Sequence, residues 1–329
     1  MKSIVFENLG NETAMTVADS PVPAPGPGKV LVKVAAAGLN PVDVLICAGY
    51  YFRKPPLPYT PGFEGAGVVE AIGMGVGKWV TGERVTFRQG SVGFGRVAGA
   101  FSQYVVCGED DLIRTPEEFT DEESGGFWLA GLTAWGGLIH LLGLQEGQTV
   151  VITAASGGVG HIAVQMAKAM RLYVIATTRS EEKAERISEL GADRVVVTSK
   201  EDLAAAVAGL GGADGAFDAV GGETTAQLMK CLKPLGRVVV YGAVGRTPPQ
   251  IDFASLISKA TGVLGFTMMT LRETPQLLEK AEASLLEFVA AKKVKPVVGQ
   301  RFALDDAPKA WRAIKDGAGF GKIVILPHA

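Results

Sequence analysis

The residues best suited to chemistry fall in one short stretch, Ala154-Ala155-Ser156-Gly157-Gly158-Val159-Gly160. It lies between an apolar run, Thr149 to Ile152, and a segment in which Val159, Ile162, Ala163, Met166, Ala167 and Met170 recur at helical spacing. Small residues at such a turn let a backbone pass close to a pyrophosphate. The helix N-terminus behind them supplies unbonded N–H groups and the positive end of a dipole. The pattern is a variant of G-x-G-x-x-G with Ala155 in the first glycine position, and the strand before it and helix after it give it weight. Ser156, Gly157, Gly158, Val159 and Gly160 are the candidate contacts to a dinucleotide.

The end of the following strand bears on which dinucleotide that is. A carboxylate there would take the ribose 2′-OH of NAD. The chain reads Thr177-Thr178-Arg179-Ser180, with Lys183 one helical turn later. Two cations and two hydroxyls suit a 2′-phosphate, so Thr178, Arg179 and Lys183 point to NADPH.

Metal chemistry finds little support. Cys47, Cys107 and Cys231 are odd in number and far apart, which fits neither a disulfide framework nor a close-spaced zinc lobe, and they read as small buried hydrophobes. His140, His161 and His328 read as core or surface histidines rather than ligands.

The elements that must position these residues come in two rhythms. From Lys29 to about Gly108 the apolar runs are short and bounded by Gly, Pro and Asn, which predicts small antiparallel strands over 30–34, 67–72, 83–87 and 101–106. After about Asp121 strands alternate with helices. Strands are expected at 149–152, 172–176, 194–198, 216–220, 237–241 and 262–266, with helices between them, and Gly191 ends the one over 181–190. Six such strands predict an α/β protein with a doubly wound parallel sheet. A helix over 274–293 and a closing strand, Lys322 to Leu326, complete the chain.

Composition limits the partners. With 47% hydrophobic and 20% charged residues the chain is that of an ordinary folded protein, and 32 Lys plus Arg against 34 Asp plus Glu leave no basic excess for nucleic acid. Glycine is the strong deviation, 43 of 329 residues or about 13%, against an average near 7%. The longest weakly polar stretch, 131–144, is shorter than the ~20 residues a membrane-spanning helix needs. The first residues lack a signal-peptide apolar region. A cytoplasmic protein with no membrane or nucleic-acid partner is expected.

Asn40-Pro41-Val42-Asp43, Pro61-Gly62-Phe63-Glu64-Gly65-Ala66-Gly67, Gly131-Leu132-Thr133-Ala134 and the glycine turn occur in the order found in the medium-chain dehydrogenase/reductase superfamily. Across essentially its whole length the chain resembles the zinc-independent NADPH:quinone oxidoreductase branch. The resemblance implies a GroES-like catalytic domain over 1–124, a Rossmann NADPH-binding domain over 125–267 and a return to the catalytic domain over 268–329. It also implies absence of the catalytic zinc, since zinc relatives carry Gly-His-Glu where this chain has Gly62-Phe63-Glu64, and a cysteine ligand at Asn40. By the same likeness Asn40 and Asp43 shape the nicotinamide end and Tyr51 matches a proton-donating tyrosine, with Tyr50 leaving the register open by one residue. Thr133, Tyr241, Gly242 and Phe266 carry over as cofactor contacts, and strand 262–266 as a homodimer contact.

The activity implied is zinc-free hydride transfer from NADPH to a small electrophile, a quinone or an α,β-unsaturated carbonyl. Such an acceptor needs positioning and hydrogen-bond donors rather than a Lewis acid. The alternatives are an enoyl thioester reductase, for which Arg53 and Lys54 are the only hint, and a nucleotide-binding protein without significant turnover. Leu45, Tyr50, Phe94 and Met268 are expected to line the substrate pocket.

Overall fold

A computed structural model of the chain describes residues 1–11, 13–87, 99–317 and 319–329, and in it the two sequence rhythms separate into two units. Met1–Leu129 and Pro296–Ala329 form the first, Ala130–Lys295 the second.

The first unit is built on strands. A two-stranded ribbon, β1 (Lys2–Val5) and β2 (Thr16–Asp19), precedes the long β3 (Lys29–Leu39), whose Val30, Val32 and Val34 alternate into the core. Helix α1 (Pro41–Cys47) follows at once, with Pro41 at its first position, where a missing N–H costs nothing. Then come β4 (Glu64–Ile72), β5 (Arg84–Phe87), β6 (Tyr104–Gly108), β7 (Leu112–Arg114) and the short α2 (Asp121–Gly125), capped by the Thr120 hydroxyl.

The chain leaves along α3 (Trp128–Trp135), which widens into a π-helix over Gly136–Leu142. Six strands then alternate with helices. They are β8 (Thr149–Ile152), α4 (Gly160–Ala169), β9 (Tyr173–Thr178), α5 (Ala184–Glu189), β10 (Arg194–Val197), α6 (Leu203–Gly209), β11 (Ala213–Asp218), α7 (Gly222–Cys231), β12 (Leu232–Val240), α8 (Phe253–Ser258) and β13 (Gly262–Gly265). The sheet is parallel throughout, in the order β10-β9-β8-β11-β12-β13. That order reverses beside β8, the arrangement that places a nucleotide at the carboxyl ends of the strands.

Helices α9 (Met268–Arg272) and α10 (Pro275–Ala290) follow, and the chain returns through β14 (Val298–Ala303), α11 (Ala307–Lys315) and β15 (Lys322–Leu326). The last strand pairs with the 37–39 end of β3, while β6 pairs with its 29–33 end, so one edge of β3 serves two partners. The seven-stranded sheet runs β14-β15-β3-β4-β5-β7 with β6 beside β3.

Both boundaries of the second unit lie later than the expected 125 and 267, at Ala130 and Lys295. The return begins at Pro296 rather than at 268, because α10 packs with the nucleotide-type unit. Leu278, Ala281, Leu285 and Val289 are buried along one face. Just beyond it, Lys295 exchanges two hydrogen bonds with the Gln165 carboxamide of α4 at 2.9 Å each. Among the described residues no helix is long and apolar enough to cross a membrane.

Candidate functional site

In the second unit the glycine turn joins β8 to α4 as the spacing predicts. Ala154 adopts φ 48°, and its carbonyl accepts the Gly157 N–H at 2.9 Å, closing the turn. A Cβ at Gly160 would stand 2.3 Å from that same carbonyl oxygen and 2.7 Å from Ala155 Cα, so only glycine lets the helix start this close. The predicted core face of α4 is buried at Ile162, Ala163, Met166 and Ala167. No side chain caps its N-terminus, whereas Ser156, Gly157, Gly158 and Val159 are partly exposed in front of it. His161, expected to be a core or surface histidine, is buried, and its Nδ1 lies 2.9 Å from the Gly157 carbonyl, tying the turn to the helix.

At the end of β9, Thr178 is buried and its hydroxyl accepts the Ser180 N–H at 3.1 Å, which shapes the turn that presents Arg179 and Lys183. Arg179 is exposed and Lys183 partly buried. Burial holds the Lys183 ammonium below the ordinary lysine range, and the guanidiniums of Arg179 and Arg186 push it the same way against the pull of Glu182. Three cations held together against their own repulsion are suited to an anion. Arg186, one turn past Lys183 in α5, was missed in the sequence because it looks like any cation on an exposed helix.

The remaining expected cofactor contacts are divided between core and surface. Tyr241 stacks on Phe217 with ring centroids 4.0 Å apart, and burial raises its hydroxyl well above the usual tyrosine value. Phe266 is 7% exposed, and its ring lies so close to Gly136 that a Cβ there would fall 2.1 Å from it. Both rings therefore build the sheet's surroundings, and their backbones, with Gly242, lie at the carboxyl ends of β12 and β13. Thr133 is buried on α3.

In the first unit the structure brings Asn40 and Asp43 together. Asp43 is fully buried and accepts the Asn40 N–H at 2.9 Å and the Gly62 N–H at 3.0 Å, clipping the start of α1 to the Gly62 loop. Burial pushes its carboxyl up to about 7 despite those two donors. The Asn40 carboxamide is not used as a helix cap. Its Nδ2 donates to Glu64 Oε1 at 2.8 Å and to the Gly38 carbonyl at 3.1 Å, and its Oδ1 accepts from Lys322 Nζ at 2.7 Å. Lys322 donates to Glu64 Oε1 as well, at 2.7 Å, and the two are 2% and 0% exposed. Removing one partner of such a buried pair strands the other charge, at about 3–5 kcal/mol.

Lys322 carried no signal beyond opening an apolar strand, and Glu64 only its place in a motif. Tyr51 is half-buried, packed against this unit's core, with its ring 4.3 Å from that of Phe52, while Tyr50 is 83% exposed. Leu45 is exposed and Met268 partly buried; Phe94 lies outside the described residues. The three cysteines are buried thiols outside any disulfide. Among the described residues no three His, Cys, Asp or Glu side chains are grouped to hold a metal.

A doubly wound parallel sheet with a glycine turn at its switch point, joined to a GroES-like β unit formed by both ends of the chain, defines a medium-chain dehydrogenase/reductase. Residues 26–117 match the alcohol dehydrogenase GroES-like domain and residues 158–283 the zinc-binding dehydrogenase domain. The rat quinone oxidoreductase is 32% identical, covering 98% of this chain and 96% of its own. Among solved structures, Escherichia coli quinone oxidoreductase complexed with NADPH superposes with a TM-score of 0.89 at 26% identity, covering 99% of this chain and 100% of its own. A structure described as an NAD-dependent alcohol dehydrogenase reaches 0.87 at 33% identity, over 99% of both chains. The chain belongs to the quinone oxidoreductase family of the medium-chain dehydrogenase/reductase superfamily.

Proposed function

We propose that this oxidoreductase reduces quinones or α,β-unsaturated carbonyls with NADPH and without zinc, as a cytoplasmic homodimer. The observation that carries the cofactor choice is the Arg179, Lys183 and Arg186 cluster at the end of β9, where an NAD enzyme would want a carboxylate. The NADPH-complexed E. coli relative supports it. Thr178 shapes that turn, and Ser156 to Gly160 form the cradle for the pyrophosphate, with Gly160 meeting the close-approach requirement. Thr133, Asn40, Tyr241, Gly242 and Phe266 complete the assigned cofactor set. When bound, NADPH supplies the hydride.

The protein's own part is orientation and charge. Tyr51 is assigned as the donor, its hydroxyl giving a proton to the enolate or hydroquinone oxygen as negative charge develops there. Asn40 and Asp43 shape the nicotinamide end, Asp43 from behind, since both of its oxygens are taken up within the fold.

The zinc-free reading is supported by the donor set. Phe63 is a buried ring, and Asn40 Oδ1 already bears an ammonium, which would repel a dication bound there. Three buried thiols outside any disulfide suit a reducing compartment.

Consumption of NADPH and NADH followed at 340 nm, with EDTA present, tests this against 1,4-benzoquinone, 9,10-phenanthrenequinone, an enal, an enone and crotonyl-CoA. NADPH-preferring turnover of quinone or enone that ignores EDTA is expected. Loss of activity with EDTA would return the metal, and turnover confined to crotonyl-CoA would make the protein an enoyl thioester reductase.

A further inference from the structure

Lys322 is a buried cation that neither cofactor binding nor proton donation uses. Apolar side chains of similar volume often fill such a space with equal or greater stability than an ion pair. Here the backbone makes way for the charges instead. A Cβ at Gly38 would fall 2.5 Å from Glu64 Oε1, and one at Gly126 would fall 3.2 Å from the lysine Cε. The second carboxylate oxygen of Glu64 is also employed, accepting the Leu129 N–H at 2.9 Å.

What the pair holds is the Asn40 carboxamide. The two ends of an amide group have nearly the same shape, so packing alone scarcely distinguishes them. An ammonium on Oδ1 and a carboxylate on Nδ2 allow one orientation. Asn40 precedes α1, and its N–H is held by Asp43 inside that helix. The Leu45 carbonyl, near the helix end, accepts the Tyr50 N–H at 2.9 Å and the Tyr51 N–H at 3.2 Å. A continuous run of bonds thus leads from Lys322 through Asn40 and α1 to the backbone of Tyr51.

We propose that Lys322 is a positioning residue for the reduction: by fixing the Asn40 carboxamide it fixes α1 and the turn that presents Tyr51. This rests on the assignment of Tyr51 as donor under the proposed function.

The test compares full-length wild type with the neutral double variant K322Q/E64Q, by amide hydrogen exchange, by NADPH dissociation constant and by kinetics with NADPH and 9,10-phenanthrenequinone. Expected are exchange at least tenfold faster over 41–51 and unchanged over 160–169, an NADPH constant within twofold of wild type, and kcat at least tenfold lower. Wild-type kcat overturns the proposal, with or without faster exchange. A fall in kcat without faster exchange overturns it too, since the lysine would then act by charge alone. Should the double variant not fold, K322M/E64L, which fills the same space with apolar side chains, is read by the same criteria. If wild type itself reduces no quinone or enone, the functional reading fails and this proposal with it, an outcome distinct from a wild-type-like variant of an active enzyme.

Discussion

The proposed cofactor choice rests on Lys183 and Arg179, so the sharpest residue-scale prediction falls on them. Arg179→Glu sets a like charge against the 2′-phosphate, and the ratio of kcat/KM for NADPH over NADH should drop at least tenfold, or about 1.4 kcal/mol. An unchanged ratio would remove the assignment. Because burial and its neighbours hold Lys183 below the ordinary lysine range, the ammonium loses its proton at a lower pH than usual, and a bound phosphate must recapture it. The NADPH preference should therefore decline on the alkaline side, and decline less in Lys183→Met.

Asp43 predicts a second pH effect. Its carboxyl is raised in the fold from 3.8 to about 7, so the folded protein holds that proton more tightly than the unfolded chain. The resulting stabilisation is complete below about pH 4 and is lost as the pH rises through 7. Relative to Asp43→Asn, wild type should lose Tm between about pH 4 and 7; parallel Tm curves would mean a carboxylate ionised throughout. The sequence made Asn40 and Asp43 visible as a motif but not as a buried clip, because their partners Gly62, Glu64 and Lys322 come from distant parts of the chain.

Elements were legible where a single period governs them. The β8 and β15 bounds follow directly from their apolar runs, and α4 from its buried stripe. β3 extends five residues beyond its apolar core reading because Ala35 to Leu39 lack a strong alternation and are held by pairing with β4 and β15. The π-helix over Gly136–Leu142 left no sequence mark, since its two glycines read as weak helix formers. In the structure they admit the rings of Phe266 and Phe217. The same close-contact logic yields a test on α4: Gly160→Ala would force a methyl against the Ala154 carbonyl. A loss of about 1–3 kcal/mol in stability and at least tenfold in NADPH affinity is expected, measured by denaturation and titration. A variant binding NADPH as wild type does would show that the turn does not form the cradle.

At the scale of the molecule, the six-stranded sheet ends in β13, and Leu235 of β12 and Phe253 and Ile257 of α8 are 75%, 72% and 66% exposed. A sheet's edge strand is a template for pairing with a second copy, and exposed apolar side chains favour association. Light scattering should give about twice the 34.3 kDa chain mass, and a monomer would remove the dimer. Gross organisation was readable from the change of rhythm near Asp121, whereas the return at Pro296 was not, since α10 carries the same helical signal whichever unit it joins.

The place of β15 also sets an order of assembly during synthesis. Residues 130–295 are contiguous and can fold as they emerge, but the β3 edge at 37–39 waits for a strand made after them. Until then Glu64 and Asn40 lack their ammonium. A nascent chain can thus own a finished nucleotide fold before β15 reaches β3, and the buried cluster of Asn40, Glu64 and Lys322 closes only after that unit.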